Sequence, residues 1–337
     1  MAAKTAQTKV GVSMPLGLKP EALLDWYYKM VLIRTLDERA WALNRMGKVG
    51  FVASCRGHEG AQVGSASVMR PGVDFILPYY RDMGVAITIG LTPKEHMLSL
   101  LAKVEDVNSR GRQMPGHWGD QSLRIISGSS PVATQVPHAA GIAYASKLRG
   151  EDAVTIVYFG DGATSRGDTH EGMNFAGIHK LPVIFLCEFN GLAISVPQEK
   201  QMAVQNVAVR AQGYGFPGVT VDGTDVLAVY EATKEAWDRA RRGEGPTFIE
   251  CKVQRMLPHS SDDDDRRYRS PEEMEEMRKR DPLERFRGYL REAGILDEAM
   301  ESEIRARAKR EVDEANDYAE RAPDPAPEDL LTHLYAE

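Results

Sequence analysis

The sequence predicts an α/β fold, a parallel sheet with helices on both faces, and three observations carry that expectation. Residues 153–159 and 182–189 are apolar, β-branched runs, each too short for a typical helix and too unbroken for a strand with one wet face. Such runs mark strands buried on both sides of a parallel sheet. Between them, residues 168–179 show helical spacing, with Met173, Phe175, Ala176 and Ile178 available to cover a sheet. Strand, helix and strand in that order make a βαβ unit with a right-handed crossover. Two further runs, 213–221 and 247–253, flank a helical segment at 226–242 and extend the pattern.

At 337 residues and 42% hydrophobic content, the chain can bury a large core. The organisation expected is a loose arm at 1–19, an α/β domain at 20–270, and a helical extension at 271–337 packed on the same domain. A net charge of −7 offers no basic surface for nucleic acid. Cys55, Cys187 and Cys251 are far apart and form no C-x-x-C, so neither a disulfide framework nor zinc is expected. No apolar run reaches 18 residues, and the first residues lack an apolar signal-like stretch. The expectation is a soluble, cytoplasmic protein that makes no membrane contact.

Taken in order, Pro20 opens a long helix that Gly47 closes. Its apolar residues exceed one stripe, so a second covering surface is expected, with another subunit as a candidate. Cys55-Arg56-Gly57-His58-Glu59-Gly60 leads into a helix of small residues, where His58 reads as a structural group at the helix start. Residues 74–84 give a short strand followed by Tyr80-Arg81-Asp82. The planar fork of Arg81 suits a phosphate, and a surface Arg–Asp pair explains it equally well. Thr92 and Pro93 start a helix expected over 92–104. Residues 111–117, GRQMPGH, form a polar loop. Residues 127–135, SGSSPVATQ, precede a helix at 135–148 that is rich in alanine and glycine. Their hydroxyls and carbonyls suit either capping or a monovalent cation. After the strand at 247–253, the four acids Asp262–Asp265 read as a solvated, mobile loop. His259 sits just past that strand, placed either to bond an anion and move a proton or simply to be solvated. From Pro271 the chain reads as charged, amphipathic covering helices, ended by the prolines at 323–327.

The two buried strands run the same way, so Gly160-Asp161-Gly162 and Asn190-Gly191 open on one edge of the sheet. Ligands bind at that edge of open α/β sheets. A carboxylate and an amide oxygen are hard ligands suited to Mg²⁺ shared with phosphates, and the adjacent helix N-terminus suits an anion. The residues therefore suggest a Mg-bound diphosphate, although GDG alone also reads as a plain turn.

The GDG…N pattern resembles the thiamine diphosphate fingerprint. Together GDGATSRGDTHEGMNFA, FNGLAISVP, GRQMPGH, SSPVATQ and PHSSDDDDRRYR resemble the α subunits of thiamine diphosphate-dependent 2-oxoacid dehydrogenases, most of all the branched-chain (2-oxoisovalerate) type. The resemblance spans roughly residues 20–294. It implies a thiamine diphosphate-binding fold in which Tyr80, Arg81, Ser130, Val132, Gly160, Asp161, Gly162, Ala163, Asn190 and His259 hold the cofactor. It implies Mg²⁺ on Asp161, Asn190 and the carbonyl of Leu192, and makes Ser129, Pro131, Thr134 and Gln135 candidate K⁺ ligands. His259 takes a catalytic role, and Ser260 matches the serine that a dedicated kinase phosphorylates in the mitochondrial relatives. The resemblance further implies oxidative decarboxylation of a 2-oxo acid and transfer of its acyl group to the lipoyl arm of an acyltransferase. A β subunit would complete the site in an α2β2 heterotetramer, the α chain being inactive alone. Rival readings are a pyruvate or acetoin dehydrogenase α subunit and a non-catalytic scaffold. Three positions depart from the family pattern: Phe189 replaces an asparagine, Leu192 a tyrosine, and Arg166 a glutamate near the expected diphosphate.

Overall fold

Five strands lie side by side in one sheet: β1 (Phe75–Leu77), β2 (Thr155–Gly160), β3 (Val183–Phe189), β6 (Gly218–Asp222) and β7 (Thr247–Lys252). Their order is β1-β2-β3-β7-β6 and every pairing is parallel. The computed structural model describes residues 15–332, and the arm expected at 1–19 falls mostly outside them. Side chains on the central strands alternate between two cores, as the pleat requires. Ile156, Tyr158, Ile184 and Leu186 enter one core; Val157, Phe159, Phe185 and Cys187 enter the other. This is why both runs are apolar at every position.

Six helices cover the first face: α1 (Pro20–Arg45), α2 (Glu59–Ala66), α3 (Met83–Ile89), α8 (Val226–Arg241), α10 (Pro282–Glu292) and α11 (Glu298–Arg321). The short α4 (Pro93–Leu100) packs against α11, and Thr92 caps it with a reciprocal Thr–Glu95 box. On the second face lie α5 (Gln135–Arg149), α6 (Gly167–His179) and a 3₁₀ segment, Val207–Tyr214. Between β3 and that segment, a two-rung ladder of β4 (Leu192–Ala193) and β5 (Val196–Pro197) leads into the single turn α7 (Gln198–Gln201). Among the described residues, no helix is long and apolar enough to cross a membrane.

Several expectations change. The second surface over α1 comes from this chain itself, because α11, α10, α2 and α3 pack around it. The helix expected to reach residue 104 stops at Leu100, and Ala102 turns left-handed. Residues 213–217 are not strand: left-handed Gly215 ends the 3₁₀ segment, and β6 starts only at Gly218. The charged run after residue 270 breaks into α9 (Pro271–Arg278) and α10, because Pro282 disfavours helix at the preceding residue and Asp281 caps Leu283 N at 2.9 Å. On α6, Met173 and Ala176 face the core, but Phe175 and Ile178 are exposed.

Candidate active site

A cavity of about 370 Å³ opens where β2 and β3 end, between the turn after β1 and the loop after β7. That volume lies within the range of small-molecule sites. Its lining includes Tyr80, Arg81, Ser130, Val132, Gly160, Asp161, Gly162, Ala163, Asn190, Leu192 and His259. The residues expected to hold the cofactor therefore surround a single space.

Asp161 is the first residue beyond β2 and is 1% exposed. Burial pushes its carboxyl group up, against a hydrogen bond from Gln201 Nε2 at 3.1 Å. Asn190 is the first residue beyond β3. Its Oδ1 accepts from Leu192 N at 3.2 Å in a local turn and keeps a second lone pair, while Nδ2 lies 3.5 Å from His58 Nε2. His58 is fully buried, and burial, then Arg81 and Arg255, hold its pKa well below the ordinary value. With the amide nitrogen of Asn190 facing it, the Nε2 of the neutral ring must accept, which leaves the Asn190 oxygen on the other side. Gly162 lets the β4–β5 ladder approach, since a Cβ there would come 2.9 Å from Ala193 Cβ.

The opposite wall is cationic. Arg81 and Arg255 are each 2% exposed, and Arg269 is buried behind them. Arg81 donates to Ser54 O at 2.6 Å and to His259 O at 3.1 Å. Arg255 donates to Ile194 O at 2.7 Å and Tyr268 Oη at 2.9 Å, while its Nε is buried without a partner. Burial lowers its pKa to about 10, and repulsion from Arg269 and Arg81 adds to this. His259 is lowered to about 4 by burial, then by Arg81 and Arg255. Its Nδ1 is 3.4 Å from Arg81 Nη2, which can only donate. The neutral ring therefore carries its proton on Nε2. The result is crowded positive charge: Arg269 pairs with Asp265 at 3.4 Å and Asp263 lies near Arg255 and His259, while among the described residues neither Arg81 nor Arg255 forms an ion pair of its own.

On the remaining side, Ser129, Ser130, Val132 and Gln135 line the cavity, but Pro131 and Thr134 do not. Thr134 Oγ1 instead donates to Pro131 O at 3.1 Å. Gln135 donates to Tyr158 O at 3.2 Å and leaves a buried Oε1 without a partner, an acceptor suited to a cation or donor. His117 bridges two loops: its Nδ1 lies 2.8 Å from Met114 O and its Nε2 2.7 Å from Ser130 Oγ. The carbonyl must accept, so Nε2 accepts from the Ser130 hydroxyl when the ring is neutral.

These groups fit Mg-thiamine diphosphate. Among the cavity-lining residues Asp161 is the one carboxylate, and one carboxylate beside one amide oxygen suits Mg²⁺ shared with phosphate. Among the described residues no cluster of three or more His, Cys, Asp or Glu could hold a metal by itself. Buried arginines facing that edge suit a diphosphate. Sequence reasoning assigned no role to Arg255, Gln201 or Tyr79. Arg255 alone had a usable signal, standing three residues past β7 on the shared edge. Arg166 is exposed at the start of α6 and does not line the cavity, so any effect of its charge on an anion there would act at a distance rather than by contact. Phe189 points into the second core beneath Lys252, away from the chemistry. The acids of residues 262–265 are not simply solvated: Asp263 accepts from His259 N at 2.8 Å and from Tyr268 Oη, and Ser260 is buried.

The comparisons with known proteins agree with this geometry. The family model described as "Dehydrogenase E1 component" matches residues 27–328. The chain is 54% identical to the 2-oxoisovalerate dehydrogenase subunit alpha of Bacillus subtilis, covering 95% of this chain and 97% of the relative. It is 40% identical to the human mitochondrial 2-oxoisovalerate dehydrogenase subunit alpha, covering 95% and 72%. It is 41% identical to the pyruvate dehydrogenase E1 component subunit alpha of Staphylococcus aureus, covering 94% and 83%. With a family model matching nearly its whole length and a cavity edged by Asp161, Asn190 and Arg81, the chain belongs to the dehydrogenase E1 component family.

Proposed function

We propose that this chain is the α subunit of a branched-chain 2-oxoacid dehydrogenase that binds Mg-thiamine diphosphate together with a β subunit. The observation that carries the reading is the pairing, across one cavity, of the buried Asp161 carboxyl group with the under-neutralised Arg81–Arg255 wall. Asp161, Asn190 and the Leu192 carbonyl would hold Mg²⁺. Arg81, Arg255 and the Nε2–H of His259 would take the diphosphate oxygens. Ser130 and Val132 would face the aminopyrimidine, and the partnerless Gln135 Oε1 with Ser129 makes that loop the candidate K⁺ site, with Pro131 and Thr134 completing the set. When bound, thiamine diphosphate supplies the carbon nucleophile that adds to a 2-oxo carbonyl and takes up the electron pair as CO₂ leaves. His259, neutral and carrying its proton on Nε2, would hold or deliver a proton at the diphosphate end. The acyl group would pass to the lipoyl arm of an acyltransferase.

The branched-chain assignment rests on the 54% identity to the Bacillus subtilis subunit. A pyruvate-type reading stays in view because the Staphylococcus aureus relative is as similar as the human branched-chain one. The test uses the complex purified from its native source with its companion chain. It follows 2-oxo acid-dependent reduction of an artificial acceptor, with and without thiamine diphosphate and Mg²⁺. Cofactor-dependent turnover faster with 2-oxoisovalerate than with pyruvate supports the proposal. Pyruvate preference selects the second reading. Absence of both turnover and cofactor binding, with the β chain present, points to a scaffold.

A further inference from the structure

We infer that Gln62, a residue outside the cavity, is the positioning residue for the turn that carries Arg81; the inference rests on the proposed diphosphate site. Gln62 lies on α2 and is fully buried. Its Nε2 lies 3.1 Å from Arg81 O, 3.2 Å from Asp82 Oδ1 and 3.2 Å from Glu188 Oε2. Its Oε1 accepts from Gly84 N at 3.1 Å. One amide therefore holds the turn 81–84 at both ends and ties it to β3, two residues before Asn190.

The chemistry of the position selects an amide. The turn presents a carbonyl and an N–H, and Asp82 and Glu188 add carboxyl oxygens. A planar side chain with two donors and an acceptor meets the Gly84 N–H and shares its two hydrogens among the three oxygens. A glutamate would add a third carboxyl with nothing to donate when ionised, and an apolar residue would leave buried groups unpaired. Gly84 completes the fit, since a Cβ there would sit 2.3 Å from Gln62 Oε1. Tyr79 reinforces the cluster, donating from Oη to Glu188 Oε2 at 3.0 Å and from N to Asp82 Oδ2 at 2.8 Å. The guanidinium of Arg81 is held separately, by Ser54 O and His259 O. Gln62 thus governs the main chain from which Arg81 projects, and acts on phosphate binding without touching phosphate.

The experiment compares wild type, Q62M, R81K and Q62M/R81K in the assembled α/β complex. Thiamine diphosphate affinity at fixed Mg²⁺ is read from quenching of tryptophan fluorescence, and thermal midpoints are read without cofactor. Q62M is expected to weaken cofactor binding about tenfold in the wild-type background and less than twofold in the R81K background, because the effect passes through Arg81. A merely structural role would lower the midpoint while leaving affinity unchanged, or would weaken binding equally in both backgrounds; either result overturns the inference. Should Q62M fail to assemble, Q62N, which keeps the amide but withdraws it by one methylene, is read in the same way. Failure of both to fold also overturns it, showing the amide to be needed for the fold itself. Failure of the wild-type complex to bind thiamine diphosphate would instead sink the proposed function.

Discussion

Arg81 Nη2 donates to the carbonyl oxygen of His259 at 3.1 Å, joining residues 178 apart in the chain. The contact closes the turn after β1 onto the loop after β7, so the two segments that supply the cationic wall form a single unit. It also sets the His259 tautomer, because Nδ1 faces a group that can only donate.

Arg81→Lys tests this unit. Lysine keeps the charge but cannot donate to Ser54 O and His259 O while also offering a fork to phosphate. Losing charge-assisted hydrogen bonds worth about 1.5–3 kcal/mol predicts cofactor affinity about 10- to 100-fold weaker. Isothermal titration of the complex with thiamine diphosphate measures it, and an affinity within twofold of wild type would contradict the assignment of Arg81.

Asp161→Asn tests the metal end. The amide can still accept the hydrogen bond from Gln201, so the turn Asp161–Ser165 should keep its shape. The charge that attracts Mg²⁺ is gone. Cofactor affinity should then respond little to added Mg²⁺, whereas the wild type should tighten strongly. A variant whose affinity still climbs with Mg²⁺ would place the metal elsewhere.

Much of this was legible in the sequence, for identifiable physical reasons. The apolar runs around Val157 and Phe185 betray a sheet covered on both faces, and that alone brings Asp161 and Asn190 to one edge. Arg81 was readable because it stands in the turn just past a strand, four residues after Leu77. Gln62 and Gln201 were not, since each acts through a partner in another element and sits in a stretch whose periodicity says only helix or loop. The same limit explains α1: a helix whose apolar residues exceed one stripe reports that a second side is covered, not by what. Phe175 and Ile178 mislead because helical spacing counts apolar residues without saying where the neighbouring helix ends.

Asp37 should make stability depend on pH. It accepts from Ser54 Oγ at 2.8 Å and Cys55 N at 3.2 Å, yet burial, reinforced by Glu59, raises its carboxyl to about 6. An acid whose pKa is higher folded than unfolded holds its proton more tightly in the folded state. Its contribution therefore declines as pH rises from about 4 to about 6 and is level above that. Asp37→Asn, always neutral, escapes the decline. Urea unfolding at pH 4.5 and pH 7.5 should show the variant gaining on wild type by about 2 kcal/mol at the higher pH. An equal difference at both pH values would refute it.

The loop tie between His117 and Ser130 predicts a local effect. His117→Ala removes the acceptor at 2.7 Å from the Ser130 hydroxyl and frees the loop that faces the cavity. Cofactor binding should weaken by a few-fold, in line with about 0.5–1.5 kcal/mol for one neutral hydrogen bond, while His117→Gln, which can still accept, should recover part of it. Equal losses in the two variants would mean that bulk rather than the hydrogen bond matters there.

Arg34 carries the largest stability prediction. It donates from Nε to Glu59 Oε1 at 2.6 Å, and from Nη1 and Nη2 to the two oxygens of Asp281 at 2.9 and 3.0 Å. All three residues are buried, and together they join α1, α2 and the cap of α10. Burial tends to raise the Asp281 carboxyl, but the Arg34 bonds outweigh it and hold the group below its ordinary range. Arg34→Met keeps most of the bulk and strands two buried carboxyl groups, which predicts a loss of about 3–5 kcal/mol. The triple variant Arg34→Met, Glu59→Gln, Asp281→Asn removes the stranded charge and should recover a substantial part of that loss. Denaturant midpoints of the three proteins decide the matter. A single variant costing under about 1 kcal/mol would mean that water reaches these carboxylates, and a triple variant no better than the single would mean that packing around Arg34, not charge, holds the three helices together.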